Sequence, residues 1–145
     1  HTKVPFVKQL MDAVMSRAQR KGKVRTLLGR LCRFPLWEPN QFGIHKPLPH
    51  DDALAEHGPG IRRAYTYKAL NKLIQGSAAD MTKKAMIDLH AEGIIPHLQV
   101  HDELDISIQN KKEAEKIRDI MESTVSLEVP NKVDYEEGDN WGSIK

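Results

Sequence analysis

The chain is organised around one stretch, Leu98-Gln99-Val100-His101-Asp102-Glu103-Leu104-Asp105-Ile106-Ser107-Ile108. Apolar and polar residues alternate on both sides of an acidic pair, and a period of two is typical of β-strands. The pattern therefore predicts a β-hairpin with Asp102 and Glu103 at its tip. A two-residue turn would put the two apolar rows on opposite faces. A three-residue loop at 101–103 would pair Val100 with Leu104 and keep both rows on one face, and we predict this register.

The acidic pair has two interpretations. Asp is common in turns because its side chain hydrogen-bonds to nearby backbone, so Asp102 and Glu103 could be ordinary turn residues. Alternatively, the exposed carboxylates hold a cation. Mg²⁺ prefers oxygen ligands and is often bound through only one or two carboxylates. For an isolated Asp-Glu pair, the first interpretation would be the better one.

Three motifs occur in order along the chain. Thr-Leu-Leu-Gly-Arg stands at 26–30, Lys-Ala-Leu-Asn-Lys-Leu-Ile-Gln-Gly-Ser-Ala-Ala-Asp at 68–80, and Gln-Val-His-Asp-Glu-Leu at 99–104. The last string resembles the C-terminal catalytic motif of family A DNA polymerases, the bacterial polymerase I kind, which include phage enzymes. The other two resemble segments that precede this motif in the family. The resemblance covers the whole chain apart from the segment 35–60.

The resemblance implies an α+β fold. A polymerase palm contains an antiparallel β-hairpin or sheet that helices cover, with one long helix before the catalytic hairpin. On this basis, 1–34 is predicted to be a helix and a basic hairpin that connect fingers to palm. The segment 35–60 is predicted to be a loop rich in Pro and His. The rest, 61–145, is predicted to be the palm subdomain with the catalytic hairpin.

The resemblance also implies roles at the hairpin tip. Asp102 would bind Mg²⁺, Glu103 would assist directly or through water, and His101 would help to place the primer end. The implied reaction is template-directed transfer of deoxynucleotides to a primer 3′-hydroxyl by two-metal catalysis. Primer–template DNA and a deoxynucleoside triphosphate are then the expected partners.

Two amides on the long helix are expected to contact DNA. Asn71 and Gln75 lie one helical turn apart, at i and i+4. An amide both donates and accepts hydrogen bonds, so it can meet the minor-groove edge of any base pair. The resemblance implies this role, whereas two surface amides taken alone would more often be solvated.

Positive charge is concentrated in the first third of the chain. The formal net charge is only +2, but residues 1–50 carry ten Lys/Arg against two acidic residues. A basic segment is expected where phosphates lie, although a solvated helix face has the same composition. At the position of Tyr67 the family often has Arg, and Lys68 or Arg63 could supply that charge. The candidate phosphate ligands are therefore Arg25, Arg30, Arg63 and Lys68. For Arg33, contact with DNA and a surface position that covers an apolar flank are equally favoured.

Two features that the family requires are missing from this sequence. One is a first carboxylate motif of the form Asp-Tyr-Ser-Gln-Ile-Glu, and the other is a fingers helix with Arg and Lys for the triphosphate. The chain is therefore expected to be the C-terminal part of a longer polymerase or one subunit of a split enzyme, and to be inactive alone. A non-catalytic DNA-binding module and a metal-dependent nuclease are the alternatives.

The remaining composition restricts the compartment and the metal chemistry. Cys32 is the single cysteine, which fits a reducing, cytoplasmic location. No apolar run approaches the ~18 residues of a membrane span, so no membrane partner is expected. A zinc site could be imagined from the acidic and histidine residues of the Pro/His-rich segment, but their spacing does not match common zinc motifs. Those residues are His45, His50, Asp51, Asp52 and His57.

Periodicity and capping residues predict the other elements. We expect helices at 5–20, 61–91 and 111–125, with Asn110 as the N-cap of the last. A short hairpin is expected at 24–28 and 31–34, and a short strand at 132–135. Gly76 interrupts good helix formers, which predicts close approach of another backbone or of DNA to the helix at that residue.

Overall fold

The computed structural model describes residues 5–144. It has two compact units, His1–Ser77 and Ala78–Lys145, and their boundary falls inside a long helix. The described β-structure consists of three separate two-stranded antiparallel ribbons, and helices supply most of the remaining regular structure. The fold is therefore of the predicted α+β class.

The first unit begins with α1 (Pro5–Lys21) and a hairpin of β1 (Lys23–Arg25) and β2 (Leu31–Arg33). Both elements were predicted. Gly22 ends α1 with a left-handed φ of 67°, and its N–H donates to the Ala18 carbonyl. Of the apolar side chains of α1, Val14 and Ala18 are buried, whereas Phe6 and Leu10 near its start are exposed. The core of this unit consists of Val14, Ala18, Val24, Phe34 and Ala69.

The predicted Pro/His-rich loop is more ordered than expected. β3 (Trp37–Pro39) pairs antiparallel with β4 (Ile61–Arg63), and α2 (His50–His57) lies between them in sequence. Residues 37–39, which the sequence predicted to be part of a loop, form backbone hydrogen bonds with 61–63 instead.

The long helix starts later than predicted. Residues 61–63 are the strand β4, and Tyr65 then has a left-handed conformation with φ 61°. A 3₁₀ turn at Thr66–Lys68 leads into α3 (Ala69–Ala91). The prediction of helix from residue 61 was wrong because ladder bonds to β3 and the reversal at Tyr65 prevent a helical backbone there.

Arg63 connects three elements of the first unit. Its Nε donates to the Gln19 carbonyl of α1 at 3.1 Å, and its Nη1 donates to the Phe34 carbonyl at 3.1 Å. The guanidinium also lies 4.4 Å from the centre of the Trp37 ring, within cation–π range. The Gln19 amide exchanges two further hydrogen bonds with the Arg63 backbone. These bonds hold α1, the end of β2 and β4 together.

Gly76 is the predicted point of close approach on α3. A Cβ at this residue would lie 2.7 Å from Cγ2 of Thr26, and Nη2 of Arg30 donates to the Gly76 carbonyl at 2.7 Å. The next residue, Ser77, accepts a hydrogen bond from the Leu27 backbone N–H at 3.0 Å. The turn between β1 and β2 therefore packs against α3 through the space that glycine leaves. Close approach to the helix was predicted here, but the approaching group is the Thr26 side chain rather than another backbone or DNA.

We expect Gly76→Ala to destabilise the protein by up to about 2 kcal/mol. The gain in helix propensity, ~1 kcal/mol, is outweighed by the overlap with Thr26, since overpacking costs ~1–3 kcal/mol. Thr26→Ser removes the opposing methyl and keeps the hydroxyl that donates to the Arg30 carbonyl. Denaturant unfolding of the two single variants and the double variant should show recovery in the double variant. Additive losses in the double variant would contradict this packing.

The second unit contains the remainder of α3, a hairpin of β5 (Leu98–Val100) and β6 (Glu103–Asp105), and α4 (Lys111–Ser123). Asn110 caps α4 as predicted, and its side chain accepts from the Glu113 N–H at 3.0 Å. Near the end of α4, Thr124 donates to Asp88 of α3 at 2.6 Å. Hydrogen bonds from Lys84 and Thr124 lower the pKa of Asp88. The buried apolar side chains of this unit are Ala85, Leu89, Ala114 and Ile117.

The strand predicted at 132–135 does not form. The Val133 N–H donates to a side chain, the Glu122 carboxylate, at 3.1 Å, and Lys132 forms an ion pair with the same carboxylate. Together these bonds lower the pKa of Glu122, with the backbone bond from Val133 as the largest cause. The prediction was wrong because no strand among the described residues pairs with this segment. The Glu122 side chain of α4 accepts the Val133 N–H instead.

Candidate functional site

The hairpin β5–β6 has a different register from the predicted one. Leu98 pairs with Asp105, Gln99 with Leu104, and Val100 with Glu103, so the turn contains only His101 and Asp102. His101 has φ 55°, the left-handed region that two-residue hairpin turns use, and its carbonyl accepts from the Gln99 amide at 3.0 Å. The prediction of a three-residue loop was wrong because the left-handed backbone of His101 allows a two-residue turn, and that turn pairs Val100 with Glu103.

This register changes what each face of the hairpin carries. Directly paired residues project to the same face, so Val100 shares a face with Glu103. Gln99 likewise shares the other face with Leu104. Neither face of the ribbon is wholly apolar, which corrects the expectation of one apolar face.

The acidic tip is open to solvent. His101, Asp102 and Glu103 are all exposed, and the two carboxylates form no hydrogen bond or ion pair with the rest of the described chain. Free carboxylate oxygens of this kind fit Mg²⁺, which retains several waters and often needs only one or two protein carboxylates. Within residues 5–144, no group of three or more His, Cys, Asp or Glu is arranged to hold a metal. The two carboxylates are therefore suited to supply part of a magnesium site, with further ligands needed to complete it.

A polar face lies on the first part of α3, in the first unit. Asn71 and Gln75 are exposed there, as predicted from their spacing. Lys68 precedes them by one turn, and its Nζ lies 5.2 Å from the ring centre of Tyr65 and 5.5 Å from that of Tyr67. Amides and an ammonium group on one exposed face suit contact with a nucleic-acid duplex.

The hairpin β1–β2 carries basic residues on one face. Lys23 pairs with Arg33 and Arg25 pairs with Leu31, while the buried Val24 lies on the opposite face. Lys23, Arg25 and Arg33 are exposed. Arg25 also donates to the Gly29 carbonyl at 2.9 Å, which braces the turn. This face provides positive charge where the sequence predicted it.

Arg30 and Arg63 have structural contacts that sequence reasoning did not anticipate. Arg30 donates to the α3 backbone at Gly76, and the guanidinium of Arg63 is directed at carbonyls inside the first unit. Lys68, by contrast, is exposed. Of the two residues considered as replacements for the positive charge missing at Tyr67, Lys68 is the accessible one.

The histidines of the segment 35–60 pack as aromatic rings. His50 meets Trp37 edge-on at 4.8 Å between ring centres, and His45 lies 6.1 Å from His57. The Nε2 atom of His45 is buried and would lie 2.9 Å from a Cβ at Gly43. In the part of the chain that the structure describes, these residues do not form a cluster suited to zinc.

Small antiparallel ribbons, a long helix and a hairpin with an acidic turn are the elements that the resemblance to family A DNA polymerases predicted. The chain belongs to DNA polymerase family A, whose model matches residues 1–143. It is 39% identical over 140 residues to a DNA-directed DNA polymerase of Pseudomonas phage M6, covering 97% of this chain and 18% of the relative. It is 38% identical over 151 residues to DNA polymerase I of Geobacillus stearothermophilus, covering 97% of this chain and 15% of that protein.

A solved structure agrees with this family membership. The POL domain of Pol1 from M. smegmatis, in complex with DNA primer-template and dNTP, has a TM-score of 0.67 and 30% identity. The match covers 95% of this chain and 23% of that one. The chain thus spans less than a fifth of the two relatives named above. No helix within residues 5–144 is long and apolar enough to cross a bilayer.

Proposed function

We propose that this chain is the C-terminal palm portion of a template-directed DNA polymerase. The complete enzyme, one polypeptide or several, would add deoxynucleotides to a primer 3′-hydroxyl and release pyrophosphate. The observation that carries the proposal is the free, exposed Asp102 carboxylate at a tight hairpin turn within the Gln99–Leu104 motif of the family.

Asp102 and Glu103 would hold Mg²⁺ for this reaction. When bound, the metal supplies Lewis-acid stabilisation of the charge on the transferring phosphoryl group. Two-metal catalysis requires more carboxylates than this turn offers, so a further ligand would come from a part of the polymerase outside this sequence. His101, in the same turn, would help to position the primer end, for which its exposed side chain is suited.

Asn71 and Gln75 would contact the minor groove of the primer–template duplex. Their exposed amides can hydrogen-bond to base-pair edges without preference for a sequence, because minor-groove acceptors are nearly the same in every base pair. Lys68, Arg25 and Arg30 would contribute contacts to the phosphates. For Arg63 the internal bonds favour a supporting role over direct contact with DNA.

We expect the isolated 145-residue chain to show no primer extension. Its two carboxylates at the turn cannot hold the pair of cations that in-line phosphoryl transfer uses. Incubation of the purified chain with primer–template, dNTPs and Mg²⁺ tests this, with a complete family A polymerase as the positive control. Primer-extension activity that copurifies with the chain and is lost in the Asp102→Asn variant would contradict the expectation.

A non-catalytic DNA-binding module is the second candidate. It is favoured by the exposed amides of Asn71 and Gln75 and by the basic face of the β1–β2 hairpin, which suit contact with DNA without catalysis. For the nuclease alternative, further acidic residues beside the turn would be expected, and the described chain groups none there. Substitution of Asp102 in the complete enzyme distinguishes the module from the polymerase, since only the polymerase requires the carboxylate for synthesis.

A further inference from the structure

The first unit contains a cavity that none of the roles above uses. It has a volume of about 280 Å³ and lies between α1 and the segment that joins β4 to α3. Met15 and Gln19 line it from α1, Arg62 lines it from β4, and Tyr65 and Tyr67 line it from the joining segment. This volume is close to the lower end of the range for small-ligand pockets, ~300 Å³.

The two tyrosines present their rings at the surface. Tyr67 is 66% exposed and Tyr65 is 39% exposed, so both rings are accessible to solvent. Lys68 lies within cation–π distance of both rings. Tyr65 also has a left-handed backbone, which is a genuine outlier for a bulky residue and costs about 1–2 kcal/mol. Strained residues of this kind cluster at functional sites. The strain at Tyr65 therefore makes the exposed ring pair a candidate ligand-binding site.

The lining of the cavity contains two cationic side chains, Arg62 and Arg63, and one carboxylate, Glu38. Gln19 and Arg63 are locked together by the reciprocal bonds between the amide and the Arg63 backbone, so the floor is preformed. Arg62 is exposed and forms an ion pair with Glu38 at 3.0 Å, so the other cationic groups are Arg63 in the lining and Lys68 beside the two tyrosine rings. Aromatic rings beside cationic side chains are the combination with which proteins bind unpaired nucleotides.

We propose that this cavity binds one unpaired nucleotide of a nucleic-acid strand, with its base against Tyr67 and its phosphate near Lys68. The assignment of the ligand as a nucleotide rests on the proposed polymerase function. The nucleotide could come from a 3′ end that has frayed from the duplex or from a 5′ single-stranded extension. Both sources offer the same chemistry, a free base face and an adjoining phosphate.

The test is binding of labelled DNA by the complete enzyme that carries Tyr67→Ala or Tyr67→Phe. Three probes are used: a blunt duplex, the same duplex with a 3′ extension, and the same duplex with a 5′ extension. Loss of one base stack corresponds to about 5- to 150-fold weaker binding. We expect Tyr67→Ala to weaken binding of one extended probe by this factor and the blunt duplex by less than about twofold. Tyr67→Phe, which keeps the ring, should bind like the unchanged protein.

The extended probe that responds identifies the source of the nucleotide. Abasic units in that extension should remove the difference between Tyr67→Ala and the unchanged enzyme, because no base is left to stack. Equal binding of every probe by both enzymes, or an equal loss for blunt and extended DNA, would overturn the proposal. Because these assays measure binding without synthesis, their result is independent of whether Asp102 is needed for catalysis.

Discussion

Asp102→Asn in the complete polymerase is expected to reduce primer extension by about 10³-fold or more. Several kcal/mol of transition-state stabilisation depend on the metal, and each 1.36 kcal/mol is a factor of ten in rate. The substitution keeps the size of the side chain but removes its negative charge. Since the exposed Asp102 side chain forms no hydrogen bond or ion pair with the rest of the described chain, the fold and the hairpin turn should be unaffected. Binding of primer–template should therefore persist.

Single-turnover primer extension and DNA binding, measured side by side, check this expectation. Asp119→Asn is the matched control, because Asp119 is exposed on α4 and has no proposed role. Glu103→Gln should give a smaller loss if Glu103 acts partly through water. Should Asp102→Asn extend primers at nearly the normal rate, the polymerase assignment of this hairpin would be wrong and the binding-module alternative would be favoured.

Arg63→Met is expected to reduce the free energy of unfolding by about 2–4 kcal/mol. Hydrogen bonds that involve a charged group contribute about 1.5–3 kcal/mol each, and this guanidinium donates to two backbone carbonyls. Methionine keeps much of the apolar stem, so the loss reports mainly the bonds and the contact with the Trp37 ring. The Gln19 and Phe34 carbonyls would lose their donor at partly buried sites.

Arg62→Met is the control for this substitution. Arg62 is the preceding residue on β4, but it is exposed and forms one surface ion pair, with Glu38. Such pairs contribute about 0–1 kcal/mol. Denaturant unfolding should therefore separate the two variants clearly. If Arg63→Met unfolds like Arg62→Met and instead weakens DNA binding, then Arg63 contacts DNA as the sequence suggested and its internal bonds contribute little.

The amino-acid sequence predicted the class of fold and most helices. The α1 and α4 helices, the N-cap at Asn110 and the first hairpin all follow from local signals: apolar spacing, capping residues and glycines. The close approach at Gly76 was also predictable, because glycine in a run of helix formers is costly without a packing reason. The family could be recognised because its motifs are short, contiguous strings.

The tertiary structure alone decided the features that depend on distant partners. Residues 61–63 form a strand because 37–39 are available to pair with them, and no local pattern contains that information. The turn at His101–Asp102 overruled the apolar alternation, since a left-handed His101 fixes the pairing more strongly than a few half-exposed apolar residues do. The inward bonds of Arg63 and the cavity beside Tyr65 and Tyr67 likewise arise from contacts between segments far apart in sequence. Local sequence specifies local backbone preference, whereas the choice among competing preferences is made by the long-range contacts that folding brings together.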